Sequence, residues 1–117
     1  MKVGFPLCLS IGWDGLAELI RRHQDYYWIA DFKLADIPDV VEHILGRFKE
    51  LGMDAAIMHL FTGHRRYETG LDLIGVAGMS HPQARLIREN FTKLLEEAEL
   101  LGVMGIVVGA TRPEMIL

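Results

Sequence analysis

The segment DFKLADIP, residues 31–38, decides how this chain is expected to fold, because it ends a strand-like stretch with three charged side chains. The aromatic and apolar run YYWIADFK, residues 26–33, predicts a strand. Side chains alternate along a strand, so Asp31 and Lys33 are expected on one face, with Asp36 on the following loop. A structural ion pair, or a helix cap at Asp36, is the simpler explanation. The attraction between the charges of a buried pair rarely offsets the cost of removing them from water, so a cluster kept in such a place indicates a functional site.

Apolar runs and helical patterns alternate outward from this segment. Further strands are predicted over residues 3–10, 55–61, 71–77 and 105–110. Helices are predicted over residues 15–23, with Asp14 as a possible cap, over residues 38–51, and from Pro82 to about residue 101. Pro38 suits a first helical turn, and Gly52 suits a helix end. Residues 62–70 have no assignment, whereas Thr111 and Pro113 are typical of a further helix start.

This alternation predicts parallel βα units in one domain that spans residues 1–117. About five parallel strands could form an open doubly wound sheet or part of a (β/α)8 barrel. The sequence has no glycine fingerprint for dinucleotides and no phosphate loop of the Walker type. A complete barrel takes about 250 residues, so a barrel formed by this chain would be partial. In such a barrel Asp31 and Lys33 would point into the interior, near the carboxyl end of their strand.

Composition excludes several other classes of protein. Half of the 117 residues are hydrophobic and the net charge is −4, which argues against a nucleic-acid-binding protein. Cys8 is the only cysteine, so a disulfide framework is excluded. The longest apolar run, residues 103–110, is far too short to span a membrane, and no signal peptide is recognisable. A cytoplasmic protein without a membrane partner is therefore predicted.

The spacing Asp31-x-Lys33-x-x-Asp36 resembles the signature of the orotidine 5′-monophosphate decarboxylase suprafamily. The continuation Ile37-Pro38 is similar to the orotidine decarboxylase branch, particularly in its archaeal form. Three other stretches agree in order: MKVGFPLCLS at 1–10 is similar to the family's second strand, GMSHP at 78–82 to the end of its fifth and VGATRPE at 108–114 to the end of its sixth. The resemblance implies strands two to six of a (β/α)8 TIM barrel.

The resemblance also implies roles for the charged residues. Lys33 matches the lysine that protonates C6 of the pyrimidine as carbon dioxide leaves. Asp31 matches the carboxylate placed near the substrate's own carboxylate, and Lys2 matches the lysine that holds this aspartate and reaches the ribose. The implied reaction converts orotidine monophosphate to uridine monophosphate in pyrimidine biosynthesis. It requires neither a metal nor an organic cofactor.

Four further residues are implied in substrate binding. Asp36 and Ile37 match residues that complete the site of a partner subunit, so a homodimer or higher self-association is expected. Ser80 matches the serine that reads the pyrimidine ring, with Pro82 nearby. Val40, by contrast, stands where family members commonly have a threonine.

The family's first, seventh and eighth strands have no counterpart in this sequence, which therefore looks truncated at both ends. Those strands supply a ribose-binding aspartate, a closing loop and a phosphate-binding arginine. Weak or absent activity is expected without them, because remote binding energy positions the reacting ring. Exposed sheet edges and an uncovered apolar interior also favour self-association.

Two other functions remain open from the sequence. The sugar-phosphate branch of the suprafamily, with decarboxylases and aldolases, would use a metal near the same acids. A non-catalytic remnant that self-associates or binds nucleotide weakly is the alternative outside enzymes. A metal site formed by His59, His81 and Asp31 is conceivable, but Lys33 would repel a cation there.

Overall fold

The protein, seen in a computed structural model that describes residues 1–63 and 65–109, is an α/β structure built on one parallel sheet. The strands are β1 (Lys2–Gly4), β2 (Ile29–Leu34), β3 (Ala55–His59), β4 (Asp72–Val76) and β5 (Gly105–Val107). The helices are α1 (Phe5–Arg22), α2 (Pro38–Leu51), α3 (Arg85–Glu89) and α4 (Phe91–Leu101).

The five strands lie in the order β1-β2-β3-β4-β5, and every neighbouring pair is parallel. A doubly wound sheet reverses its strand order at a switch point, whereas a barrel adds strands in sequence. The prediction of about five parallel strands is confirmed, and the sequential order matches a partial barrel. The edge strands are β1 and β5.

The predicted strand over residues 3–10 is wrong beyond Gly4, because α1 begins at Phe5. Pro6 lies in the first turn of α1, where its missing N–H costs nothing. A short apolar run fits a strand or a buried helix equally well, which explains the error. The backbone of Gly12 is not helical, with φ 72° and ψ 174°, so α1 consists of two helical segments that meet there. The second segment agrees with the predicted helix over residues 15–23, although it already includes Asp14.

Most other boundaries agree to within a few residues. Helix α2 begins at Pro38 and ends at Leu51, with Gly52 in the left-handed region at φ 103°, as predicted. The predicted long helix from Pro82 is instead two helices, α3 and α4, which meet at Asn90. Strands β2 to β5 fall within the predicted segments, except that β2 starts later and extends to Leu34. The predicted helix start at residues 111–113 lies outside the described residues.

The helix layer covers one face of the sheet through an aromatic cluster. The ring of Phe32 on β2 lies 4.7 Å from Phe5, 5.7 Å from Trp13 and 5.1 Å from Phe48, measured between ring centroids. Phe32 and Leu34 are both buried, as predicted for residues that face the helices. The helices thus hold β2 in a fixed orientation and leave Asp31 and Lys33 at the other face.

Apolar side chains are exposed near both edges of the sheet. Leu9 of α1 is 82% exposed, and Met104, just before β5, and Ile106, within β5, are also exposed. Within the described ranges, none of the helices combines the length and apolar character needed to cross a bilayer.

Candidate active site

Three charged side chains meet where β2 ends. The Lys33 ammonium donates hydrogen bonds to both carboxylate oxygens of Asp31, at 3.0 and 3.1 Å. Lys2 Nζ, from β1, lies 3.3 Å from Asp31 Oδ2. The Asp31 side chain is only 10% exposed, whereas those of Lys33 and Lys2 are 42% and 61% exposed. One nearly buried carboxylate is therefore held between two ammonium groups; we call these three residues the charged triad.

The backbone of β2 is irregular at the triad. Lys33 has φ 44°, and among the described residues it is the one non-glycine residue with a positive φ. The pairing register of β2 with β3 shifts between Asp31 and Leu34. Such bulges re-aim side chains, and strained backbone often marks a functional site. The strand thus departs from regular alternation at the residue that matches the family's proton donor.

A close approach between β1 and β2 brings Lys2 to the triad. A Cβ added to Gly4 would lie 2.5 Å from the carbonyl oxygen of Asp31, so only glycine fits there. This contact fixes β1 against β2 and brings the Lys2 side chain within reach of Asp31.

Asp36 and Ile37 lie apart from the triad, on the exposed loop that leads into α2. The Asp36 carboxylate accepts a hydrogen bond from the N–H of Ile37, at 2.7 Å. Ile37 is 63% exposed, although it is large and apolar. The structure therefore does not join either residue to Asp31 or Lys33 within this chain.

Ser80 and Pro82 lie on the exposed loop that follows β4. Because parallel strands end at the same edge of a sheet, this loop shares the edge of the triad. The Pro82 carbonyl accepts a hydrogen bond from Arg88 at 2.7 Å. A Cβ added to Gly109 would lie 2.9 Å from the Met79 carbonyl oxygen, so this loop packs closely on the chain that follows β5.

His59 ends β3 at the same edge. From the sequence alone it was considered only as a metal ligand, a role that Lys33 disfavours. Its Nδ1 atom is buried and has no hydrogen-bond partner in the described parts of the chain. Burial and the nearby charge of Lys33 lower the pKa of His59, and the opposing effect of Asp31 is smaller. The signal was present in the sequence, because AAIMH ends an apolar strand with one polar residue, as Asp31 does on β2. Residues 1–63 and 65–109 contain no cluster of three His, Cys, Asp or Glu side chains suited to a metal.

The family model described as "Orotidine 5′-phosphate decarboxylase / HUMPS family" matches residues 1–116. The chain belongs to this family, as the resemblance of its motifs implied. Among curated relatives it is similar to the orotidine 5′-phosphate decarboxylases of Methanosarcina mazei, at 36% identity, and Thermococcus kodakarensis, at 38% identity. Each of these alignments covers 99% of this chain but 56% of the relative. The chain thus spans about half the length of the curated relatives it matches.

Solved structures give the same result for the fold. The orotidine 5′-phosphate decarboxylase of Pyrococcus horikoshii superimposes with a TM-score of 0.81 at 32% identity. The orotidine 5′-monophosphate decarboxylase of Sulfolobus solfataricus does so with a TM-score of 0.83 at 30% identity. Each match covers 97% of this chain and 56% of the other. The five-stranded sheet is therefore part of a decarboxylase-type barrel.

Proposed function

We propose that this chain carries the charged part of an orotidine 5′-monophosphate decarboxylase site and acts weakly, or not at all, as a polypeptide of 117 residues. The observation that carries the proposal is the charged triad at the carboxyl edge of a sheet in a member of this family. We also propose that residues 1–117 form a single incomplete barrel domain and that the protein is cytoplasmic.

The proposed reaction breaks the bond between C6 of the pyrimidine and its carboxylate. The bonding electron pair stays on C6 as carbon dioxide leaves, and a proton moves from Lys33 Nζ to C6. Asp31 holds the Lys33 ammonium in place by accepting two hydrogen bonds from it, at 3.0 and 3.1 Å. The fixed charges of the triad need little reorganisation as the carbanion develops. Neither a metal nor an organic cofactor has a role in this scheme.

The same family membership supports roles for the residues outside the triad. Ser80, with Pro82 beside it, would contact the pyrimidine ring from the loop after β4. Asp36 and Ile37 would complete the site of a second copy in a homodimer. Both residues are exposed, and the Asp36 carboxylate accepts its hydrogen bond from the Ile37 N–H rather than from the charged triad, which fits that role. Light scattering at micromolar concentration should show a dimer or larger species, and a stable monomer would contradict this part of the proposal.

Weak activity is expected because the relatives are nearly twice as long as the matched region. Enzymes use binding energy from remote parts of a substrate, such as a phosphate, to position the reacting atoms. The described residues supply the chemical groups, but the five strands enclose only part of a barrel. We therefore expect poor substrate binding with intact chemistry.

The sugar-phosphate branch is the second candidate, because the matching family model includes it by name. Ile37-Pro38 after the signature and the decarboxylase relatives favour the orotidine branch. A non-catalytic remnant is the third possibility. It predicts nucleotide binding or self-association without turnover.

The test is release of labelled carbon dioxide from carboxyl-labelled orotidine monophosphate, beside calorimetry with uridine monophosphate. Slow release that is lost in Lys33→Ala supports the decarboxylase. Binding without release favours the remnant. Equal release by the chain and by Lys33→Ala, or neither binding nor release, contradicts the proposal. Turnover near that of a full-length relative would refute the expected impairment.

A further inference from the structure

His59 is a polar side chain at the carboxyl edge that the proposed chemistry does not use. His59 is half-buried at the end of β3, and its Nδ1 atom has no partner among the described residues. A buried polar atom without a hydrogen bond is unfavourable, because it has lost its contact with water without gaining a partner. Because buried polar atoms are normally hydrogen-bonded, we looked for a nearby group in the charged site that could reach Nδ1 in another side-chain position.

The surroundings of His59 favour a neutral imidazole. Lys33 and Asp31 on β2 are the charged groups that act on its pKa, and the net effect with burial is to lower it. On the other side, its register partner on β4 is Val76, and the ring of Phe61 lies 4.9 Å away. Neither of these carries a charge. A neutral imidazole has one nitrogen that donates a hydrogen bond and one that accepts.

Lys33 has a donor to spare. Its ammonium carries three N–H groups, and its contacts within the described chain are to the two oxygens of Asp31. The long lysine side chain is 42% exposed and can turn about several bonds. We infer that His59 is a positioning residue, whose neutral Nδ1 accepts the remaining N–H of Lys33 and holds the ammonium over Asp31.

The inference deepens the proposed function, because the ammonium to be positioned is the proposed proton donor. It also has a chemical requirement of its own. Only neutral His59 can accept from an ammonium, since a protonated imidazole has no lone pair and would repel it. A histidine whose pKa is lowered therefore suits this place better than an ordinary one.

Two substitutions separate this role from simple packing of the ring. His59→Asn keeps an acceptor close to the position of Nδ1, whereas His59→Phe keeps a ring against Phe61 without an acceptor. His43→Phe is the matched control, because His43 is exposed on α2. The readout is the rate at which the ammonium protons of Lys33 exchange with water, measured by NMR without ligand. The chain has four lysines, so the signal can be assigned by substitution.

We expect about fivefold faster exchange in His59→Phe, the factor for a hydrogen bond of ordinary strength. The control and His59→Asn should stay near the original rate. An unchanged rate in His59→Phe, or equal acceleration in His59→Asn, would overturn the inference.

A reciprocal measurement serves if the variants at His59 do not fold. Lys33→Met should raise the pKa of His59, followed by its imidazole signals. No change in the pKa of His59 would overturn the inference. Neither measurement needs a substrate. The inference about His59 can therefore be contradicted even if the chain decarboxylates its substrate, and it can be supported even if the chain does not.

Discussion

Polar groups have different partners at the two edges of the sheet. At the amino edge, polar groups are paired with neutral or backbone partners. The Asp54 carboxylate accepts the backbone N–H of Trp28 at 2.8 Å, and the Trp28 indole donates to the His23 carbonyl at 2.9 Å. At the carboxyl edge, Asp31 is held between two ammonium groups, and the backbone of Lys33 is strained. The amino edge is built for stability, whereas the carboxyl edge retains costly charges that favour chemistry.

The largest loss of stability is expected from Gly4→Ala, which disrupts the close contact between β1 and β2 beside the charged triad. The new Cβ would overlap the Asp31 carbonyl, a backbone atom that cannot easily move. We expect a loss of about 2 to 3 kcal/mol in the free energy of unfolding, measured with denaturant. Gly46→Ala is the control, because no atom lies within 4 Å of its added Cβ. It should stabilise α2 by about 0.5 to 1 kcal/mol, and equal effects of the two variants would contradict the close approach.

A loss of about 1 to 2 kcal/mol is expected from Asp54→Ala at the amino edge. The substitution leaves the partly buried N–H of Trp28 without its acceptor. Denaturant unfolding followed by tryptophan fluorescence measures the change. If Asp54→Ala were as stable as the original chain, the amino edge would not be the stabilising edge.

A smaller effect, about 0.5 to 1 kcal/mol, is expected from Tyr27→Phe, which removes the hydrogen bond from the Tyr27 hydroxyl to Asp72. That bond raises the pKa of Tyr27 to about 12. The neutral phenol is the stabilising form, so its contribution is complete below pH 10, the ordinary value, and is lost as pH rises through about 12. Stability measured between these values should fall more steeply in the original chain than in Tyr27→Phe. Parallel curves would show that the bond contributes nothing.

The smallest effect on stability is expected from Lys33→Met, although it removes the proposed proton donor. Lys33 is partly exposed and its backbone is strained, so the free energy of unfolding should change by less than about 1 kcal/mol. A loss as large as that of Asp54→Ala would show that the triad is a structural ion pair, which is the simpler explanation of the sequence.

The strands of the sheet were predicted well from the sequence, because a short apolar run between two helical patterns is rarely anything other than a buried strand. Helix α2 was predicted to begin at Pro38 and to end just before Gly52, since both residues have backbone preferences that mark helix ends. The first strand was predicted too long, because VGFPLCLS is apolar throughout and its period does not separate strand from helix.

The site was predicted unevenly for a physical reason. Charges in an apolar strand are conspicuous, so Asp31 and Lys33 were predicted to lie on one face, and the contact of Lys2 with Asp31 followed from the resemblance. The role of His59 was not predicted. Its pKa is altered by burial and by the charge of Lys33, which lies on another strand that only the fold brings close. The binding roles of Asp36, Ile37, Ser80 and Pro82 stay predictions.

The most direct test of the central claim is an NMR titration of the chain with uridine monophosphate, in which the shifted amide signals are mapped onto the sheet. The account predicts shifts at the carboxyl edge, around residues 31–37, 59 and 78–82, that weaken in Lys33→Met, while Asp54 and Asp72 at the amino edge stay unchanged. Shifts confined to the amino edge, or none at millimolar nucleotide, would contradict it.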